Sequence, residues 1–197
     1  MSSTIHRIMT LLLTMLSLAP ARAYDVLLEF KGAYFLPTNT LFRKIYNGSA
    51  IYGPELTAGC YKNLYGFVSV DYFSKQGRSI GLCSPTKMNM LNLGIGLKYL
   101  VPFCYGDFYV GLGALPTRLH VKDGSRYVIP CRTKWGCGGV AKVGAYFDLP
   151  KSFFVDLFFD YSFATIPFPC CPTAPVQSYN AKLNGCWFGV GLGYRFH

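Results

Sequence analysis

Two acidic residues, Asp156 and Asp160, could in principle supply the pair of carboxylates that general acid–base catalysis requires. They lie in a run whose alternation is that of a β-strand, where residues four apart are separated by about 13 Å. That separation is too large to flank one scissile bond. We therefore predict that both carboxylates form ion pairs with Lys98, Lys142 or Arg195.

A second candidate for catalysis is His120 with Asp123, which would suit a lipid-modifying hydrolase. No serine stands at a recognisable nucleophile turn. Glycine pairs such as Gly94 with Gly96 lack the third glycine and the following helix of a nucleotide-binding motif, and fit a narrow barrel lumen better. We therefore predict neither an enzyme nor a bound cofactor.

The cysteines could bind zinc or form disulfides, and all eight lie after residue 23: Cys60, Cys83, Cys104, Cys131, Cys137, Cys170, Cys171 and Cys186. Their spacing matches no structural zinc site, so we predict no metal. An oxidising compartment favours disulfides instead. Cys170 and Cys171 are adjacent and rarely meet disulfide geometry, so each should have a different partner.

Basic residues outnumber acidic ones by 19 to 9, giving a formal net charge of +10. Eleven bases lie in or beside the long predicted loops, with Asp123 as their only acid: Arg43, Lys44, Lys75, Arg78, Lys87, Arg118, Lys122, Arg126, Arg132, Lys134 and Lys182. One interpretation is that these side chains are simply solvated. The alternative is an anion-binding rim formed by Arg43, Lys44, Arg118, Lys122, Arg126, Arg132 and Lys134. No nucleic-acid recognition motif accompanies the charge.

The elements that must position these residues are strands, because apolar residues recur with a period of two. In the last run Leu192 and Tyr194 share an apolar face, while Gly193 and Arg195 share the other. Pro54 removes a ladder donor from the second run. Eight runs of about 9 to 12 residues suit tilted strands that cross a bilayer, and they cover 25–36, 51–61, 65–73, 91–99, 107–118, 138–147, 153–162 and 187–196.

The predicted connections alternate between short and long, as in a barrel with tight turns at one end and loops at the other. The turns are 62–64, 102–106 and 148–151, and the loops are 37–50, 74–87, 119–137 and 164–180. Cys60 and Cys104 fall at the short-turn end, two to three strands or roughly 10 to 14 Å apart. This exceeds disulfide reach, so each is predicted to stay free or to link to another chain. The other six cysteines could bond to one another through flexible loops.

The N-terminus resembles a secretory signal, with His6 and Arg7 before the apolar run 8–19 and the small-residue pattern 21–23. We predict cleavage that divides the chain into a signal peptide, 1–23, and a mature domain, 24–197. Beyond residue 23 no run approaches the roughly 18 apolar residues of a membrane-spanning helix.

Charges within the strands predict which face meets lipid. Nine of them fall in the phase opposite the apolar series of their own strands: Glu29, Lys31, Glu55, Asp71, Lys98, Lys142, Asp156, Asp160 and Arg195. The five acids and four bases nearly balance, as expected for ion pairs inside a narrow lumen. Only 14% of residues are charged and the mean hydropathy is +0.26, which favours an apolar exterior.

The C-terminal residues Val190, Leu192, Tyr194 and Phe196 resemble the assembly signal of bacterial outer-membrane proteins. With the eight-strand layout, the mature chain is similar to the small-barrel family of the outer membrane protein A transmembrane domain and outer membrane protein X. His197 departs from that family, which usually ends on the aromatic residue. The cysteine content also departs, and resembles that of envelope proteins from chlamydia-like bacteria.

The resemblance implies an all-β, eight-stranded antiparallel transmembrane barrel, exported to the bacterial outer membrane through the outer-membrane assembly machinery. Because such a barrel is too narrow for a diffusion porin, we predict a non-enzymatic structural or adhesive envelope protein. Its expected partners are outer-membrane lipid, lipopolysaccharide phosphates, acidic host glycans and disulfide-linked envelope proteins. The alternatives are a narrow channel for small or apolar solutes and a lipid A-modifying enzyme.

Overall fold

A computed structural model of the chain describes residues 25–40, 43, 47–78, 85–123, 131–168 and 179–196. The predicted signal peptide lies outside these ranges. So do six residues on which other predictions rest: Lys44, Cys83, Arg126, Cys170, Cys171 and His197.

The strands are β1 (Val26–Pro37), β2 (Ser49–Tyr61), β3 (Leu64–Arg78), β4 (Pro85–Phe103), β5 (Gly106–Ala114), β6 (Thr117–Asp123), β7 (Cys131–Asp148), β8 (Phe153–Phe168), β9 (Tyr179–Lys182) and β10 (Gly185–Phe196). A 3-10 turn, Pro150–Ser152, precedes β8. Strands β5 and β6 both pair with β4 and β7, so together they form one interrupted strand.

The sheet closes into a ring because β1 pairs with β10, and β9 and β10 both pair with β8. Every pairing in the ring is antiparallel. The predicted antiparallel barrel of eight strands is therefore confirmed.

Pro54 lies within β2 and interrupts the pairing with only one of the two neighbouring strands. Its pairing with Phe30 of β1 is kept. In the ladder to β3, however, no residues pair between the Tyr52–Tyr72 pair and the Glu55–Ser69 pair. A second irregularity near Cys60 shifts the register between Gly59 and Tyr61. The second strand thus forms with its proline in place.

The strands are longer than predicted: β4 has 19 residues, β7 has 18 and β8 has 16. Residues 74–78, 85–87, 119–123, 131–137 and 164–168, which we expected in loops, belong to strands. The expectation was wrong because polar outward residues, such as Lys87 and Lys122, interrupt the apolar alternation while the backbone pairing continues.

The apolar face of the barrel is the exposed face, as the alternation predicts. Leu192 on β10 is 58% exposed and Leu157 on β8 is 48% exposed, whereas Phe154, in the opposite phase, is fully buried. The interior contains two apolar clusters. The cluster nearer the loops includes Phe35, Phe73, Met88, Leu119, Ile166 and Trp187. The cluster nearer the turns comprises Leu27, Leu100, Tyr109, Tyr146, Phe154 and Phe158.

Within the described ranges, no helix has the length and apolar character needed to cross a membrane.

The exposed apolar band can be tested with Leu192→Arg. If a bilayer surrounds the band, an arginine near its midplane should cost about 2–4 kcal/mol and lower the yield of folded barrel in lipid vesicles. Ala50→Arg is the matched control, because Ala50 is exposed at the loop end of β2 and lies opposite the uncharged Tyr34. Equal yields for the two variants, measured by gel mobility with and without heating, would contradict an outward lipid-facing band.

Candidate functional site

A layer of ionic side chains crosses the middle of the barrel interior. All of its members are at most 4% exposed, and they are Glu29, Lys31, Glu55, Lys98, Lys142, Asp156 and Asp160. The inward phase of five strands, β1, β2, β4, β7 and β8, brings them to one level. Two acids, Glu29 and Glu55, lie directly opposite each other on β1 and β2. Because like charges opposite each other are destabilising, this pair requires cations close by.

Glu55 lies beside the ammonium groups of three lysines on three strands. Lys98 Nζ donates to Glu55 Oε1, and Lys142 Nζ donates to Oε2 at 3.0 Å. Lys31 Nζ lies 3.5 Å from the same Oε2 atom. Strands β1, β4 and β7 are thus joined electrostatically to β2 across the interior.

The remaining carboxylates have partners of their own. Lys142 Nζ also donates to Asp160 Oδ2 at 2.8 Å, across the β7–β8 ladder. Asp156 Oδ2 lies 3.1 Å from Lys31 Nζ and accepts from the Tyr109 hydroxyl at 2.9 Å. Asp160 and Asp156 therefore both form ion pairs with lysines.

Among the described residues, Asp71 and Arg195 form no close ion pair with this layer. Asp71 is 6% exposed and accepts from the Ser69 hydroxyl at 3.2 Å. Arg195 was one of three bases considered for Asp156 and Asp160, but its Nη2 donates to Asp107 Oδ2 at 2.6 Å and lies 3.4 Å from Asp148 Oδ1. Its partners differ because Arg195 pairs with Leu27 at the turn end of the barrel.

Sequence reasoning did not identify Asp107 and Asp148 as partners of Arg195. The sequence did contain an indication of these contacts. Each acid lies next to a predicted tight turn, and the C-terminal strand that carries Arg195 ends on the same side of the barrel. Together with Arg195 they form a separate ionic cluster at the mouth of the barrel.

Aromatic side chains cover the ionic layer. On the turn side, Tyr109 and Tyr146 stack with ring centroids 4.7 Å apart. Lys98 Nζ lies 4.3 Å from the Tyr109 centroid, and Lys31 Nζ lies 4.3 Å from that of Phe158. On the loop side, Phe35 makes edge contacts with Phe73 and Trp187. An ionic layer between two apolar clusters, each rich in aromatic rings, therefore fills the lumen.

The four cysteines whose side chains are described, Cys60, Cys104, Cys137 and Cys186, are free thiols. Cys137 and Cys186 are two of the six cysteines that could bond to one another through loops, and they lie in the ladders of β7 and β10. Cys131 is the first residue of β7.

Several predicted rim residues lie on strands. Arg118 and Lys122 are exposed on β6, Arg132 and Lys134 lie on β7, and Arg43 is exposed between β1 and β2. His120 and Asp123, the pair considered for catalysis, both lie on β6. His120 Nδ1 lies 2.8 Å from Thr133 Oγ1 and its residue pairs with Asn89, whereas Asp123 pairs with Thr86.

The four residues of the C-terminal signature, Val190, Leu192, Tyr194 and Phe196, all point to the apolar exterior. Tyr194 packs against Phe153 and Phe196 with centroids 5.2 and 4.8 Å away. Across the described parts of the chain, no cluster of three or more histidine, cysteine or acidic residues is arranged to hold a metal ion.

A closed ring of eight antiparallel strands, apolar outside and ionic inside, is the fold of the small outer-membrane β-barrels. The chain is similar to Ail, the attachment invasion locus protein of Yersinia pestis, solved with the heparin analogue sucrose octasulfate: TM-score 0.53, 12% identity, 88% of this chain and 97% of that one. It is also similar to Neisserial surface protein A: TM-score 0.53, 13% identity, covering 89% and 98%.

A third solved structure, a major outer membrane protein from Thermus thermophilus, aligns with TM-score 0.50 and 13% identity over 89% of this chain and all of that one. Identities this low show a shared fold alone. No protein-family profile and no curated protein sequence matches the chain.

Glu55→Gln tests the ionic layer. Removing this charge leaves Lys98, Lys142 and Lys31 without their shared partner, so the free energy of unfolding should fall by about 3–5 kcal/mol. Asp71→Asn is the control, because within the described ranges its side chain accepts a hydrogen bond only from Ser69, and the change should cost about 1 kcal/mol. Urea unfolding in lipid vesicles measures both values. A similar loss in the two variants would contradict the central place of Glu55.

Proposed function

We propose that the protein is an integral, non-enzymatic protein of the bacterial outer membrane with a structural role in the envelope, and that its barrel is closed to solutes. The observation that carries the proposal is the filled lumen, in which an ionic layer lies between two apolar clusters. An eight-stranded barrel has an interior just wide enough for side chains.

Three observations support an outer-membrane location. The exterior presents a continuous apolar band, which includes Ile95, Leu112 and Leu192 at 58%, 71% and 58% exposure. The sequence predicts an export signal at residues 1–23. The structural neighbours are barrels of the outer membrane. Such a band is more stable in lipid than in water, because transfer of apolar surface from water to an apolar medium is favourable.

The rival function is a narrow channel. A solute crossing the lumen would have to separate Glu55 from its lysines, and breaking a buried ion pair costs about 3–5 kcal/mol. It would also have to displace the stacked rings of Tyr109 and Tyr146. The geometry therefore favours a closed barrel over a conducting one.

Planar-bilayer recording tests closure directly. The folded, full-length mature protein should give no steady ion current, while a large diffusion porin in the same bilayers serves as positive control. A reproducible unitary conductance, with a step size that changes in Glu55→Gln, would assign current to this lumen and contradict the proposal.

An adhesive role is the second candidate, and the exposed bases at the loop end favour it. Arg43, Lys87 and Lys122 are exposed there, and positive potential attracts acidic glycans. The Ail structure contains a polysulfated sugar, which supports anion binding as a property that this fold can carry.

We also propose that the protein is disulfide-linked to neighbouring chains through Cys60 and Cys104, which are exposed, free and close to the tight turns. Reductant-sensitive oligomers should persist when the other six cysteines are replaced by serine. They should vanish in Cys60→Ser with Cys104→Ser. Non-reducing electrophoresis of native membranes measures this, and a monomer for the wild-type protein would refute the linkage.

A further inference from the structure

Where β3, β4, β6 and β7 continue past the apolar band, their outward residues form three rows. We name this surface the outer-wall patch. Its first row is Tyr72, Leu91, Arg118 and Trp135, its second is Ser74, Asn89, His120 and Thr133, and its third is Gln76, Lys87 and Lys122. Each row follows directly from the register of paired strands, so its members are neighbours on one face of the sheet.

The first row lies at the edge of the apolar band. Just beyond it on β4, toward the turns, come Leu93 and Ile95, which are 38% and 58% exposed. Trp135 is 56% exposed, and Tyr72 packs against Tyr52 with ring centroids 5.9 Å apart. Tyrosine and tryptophan mark the level where lipid meets water. Arg118, which pairs with both Leu91 and Trp135, therefore lies at headgroup level.

The third row carries two positive charges. Lys87 and Lys122 are exposed and directly opposite each other on β4 and β6. Like charges in this arrangement destabilise a sheet. None of the residues of the outer-wall patch is acidic. An anion bound between the two lysines would remove the repulsion.

The second row supplies hydrogen-bond donors between these charges. Ser74 Oγ donates to Asn89 Oδ1 at 2.8 Å, which leaves the Asn89 amide nitrogen available to a ligand. His120 Nδ1 contacts Thr133 Oγ1 at 2.8 Å, which leaves Nε2 available. A surface cleft of about 330 Å³ lies here, lined by Tyr72, Asn89, Met90, Leu91, Arg118 and His120.

We propose that the outer-wall patch binds the phosphorylated headgroup of a glycolipid in the outer leaflet, the chemistry of lipopolysaccharide. This inference rests on the proposed outer-membrane location and names a lipid partner within it. The patch faces sideways along the wall, and the apolar surface of Leu93 and Ile95 continues directly from it. A ligand that fits both surfaces has an anionic head and acyl chains, unlike a soluble glycan.

The spacing of the cations also suits such a headgroup. Arg118 and Lys122 are four residues apart on β6, or about 13 Å along the strand. At this spacing each base can contact a separate phosphate of a sugar headgroup that carries more than one. Arginine can bind a phosphate through two parallel hydrogen bonds, and lysine acts as a point charge.

The experiment measures binding of lipopolysaccharide to the folded, full-length mature barrel in detergent micelles. The test variant is Lys87→Gln with Arg118→Gln and Lys122→Gln, and we expect its dissociation constant to rise about tenfold or more. The matched control replaces three exposed lysines elsewhere, Lys62, Lys151 and Lys182, by Gln, and removes the same net charge. Wild-type affinity in the test variant, or an equal loss in the control, would overturn the proposal.

Three further probes identify the ligand source. Dephosphorylated lipopolysaccharide should bind about as weakly as the intact lipid binds to the test variant. Zwitterionic phosphatidylcholine vesicles should show no difference between wild type and variant. Heparin binding that depends on the three bases, without any lipopolysaccharide binding, would assign the patch to soluble glycans and overturn the lipid proposal.

Failure of this inference is distinguishable from failure of the proposed function. Heat-modified gel mobility and insertion into vesicles are measured on the same samples. A wild-type protein that does not insert contradicts the proposed location. A protein that inserts, remains closed and binds lipopolysaccharide independently of the three bases contradicts only the outer-wall patch.

Discussion

Neutralisation of charge inside the barrel is the constraint on which the rest of the structure depends. Glu29 and Glu55 face each other across adjacent strands, and lysines from β1, β4 and β7 converge on Glu55. A buried charge without a partner costs several kcal/mol, so this arrangement is stable only when all contributing strands are in register. Closure of the ring, strand register and filling of the lumen therefore all depend on the same set of ion pairs.

The same requirement explains why the apolar residues lie outside. In a narrow closed ring, inward positions must be filled by side chains, and here charged and aromatic side chains take the central levels. The period-2 alternation then places leucine, valine and phenylalanine outward on the same strands. Arg195 satisfies the same rule locally at the turn end, where Asp107 and Asp148 compensate its charge. The inward lysines and Arg195 thus each lie beside an acid.

The fold was largely predictable because alternation is a local property of each strand. It indicated the number and order of strands and the inward phase of residues such as Lys142 and Asp160. Strand ends were not predictable where polar outward residues, including Lys87 and Asn89, resemble a loop although their backbone remains paired. The alternation along each strand also could not predict which residues meet across the lumen. Lys142 and Glu55 are separated by 87 residues, and Arg195 meets acids from two turns.

Because the ladders extend past the apolar band, basic residues such as Arg118 and Lys122 lie on paired strands and not on flexible loops. On a flexible loop, Arg118 and Lys122 would have to lose conformational freedom to meet an anion together. On paired strands their backbones are already fixed by β4 and β7, at a spacing set by strand geometry. A surface organised before binding loses less entropy than a loop that must order. In the proposed lipid site, the hydrogen-bonded wall, more than the net charge of +10, would therefore determine where an anion binds.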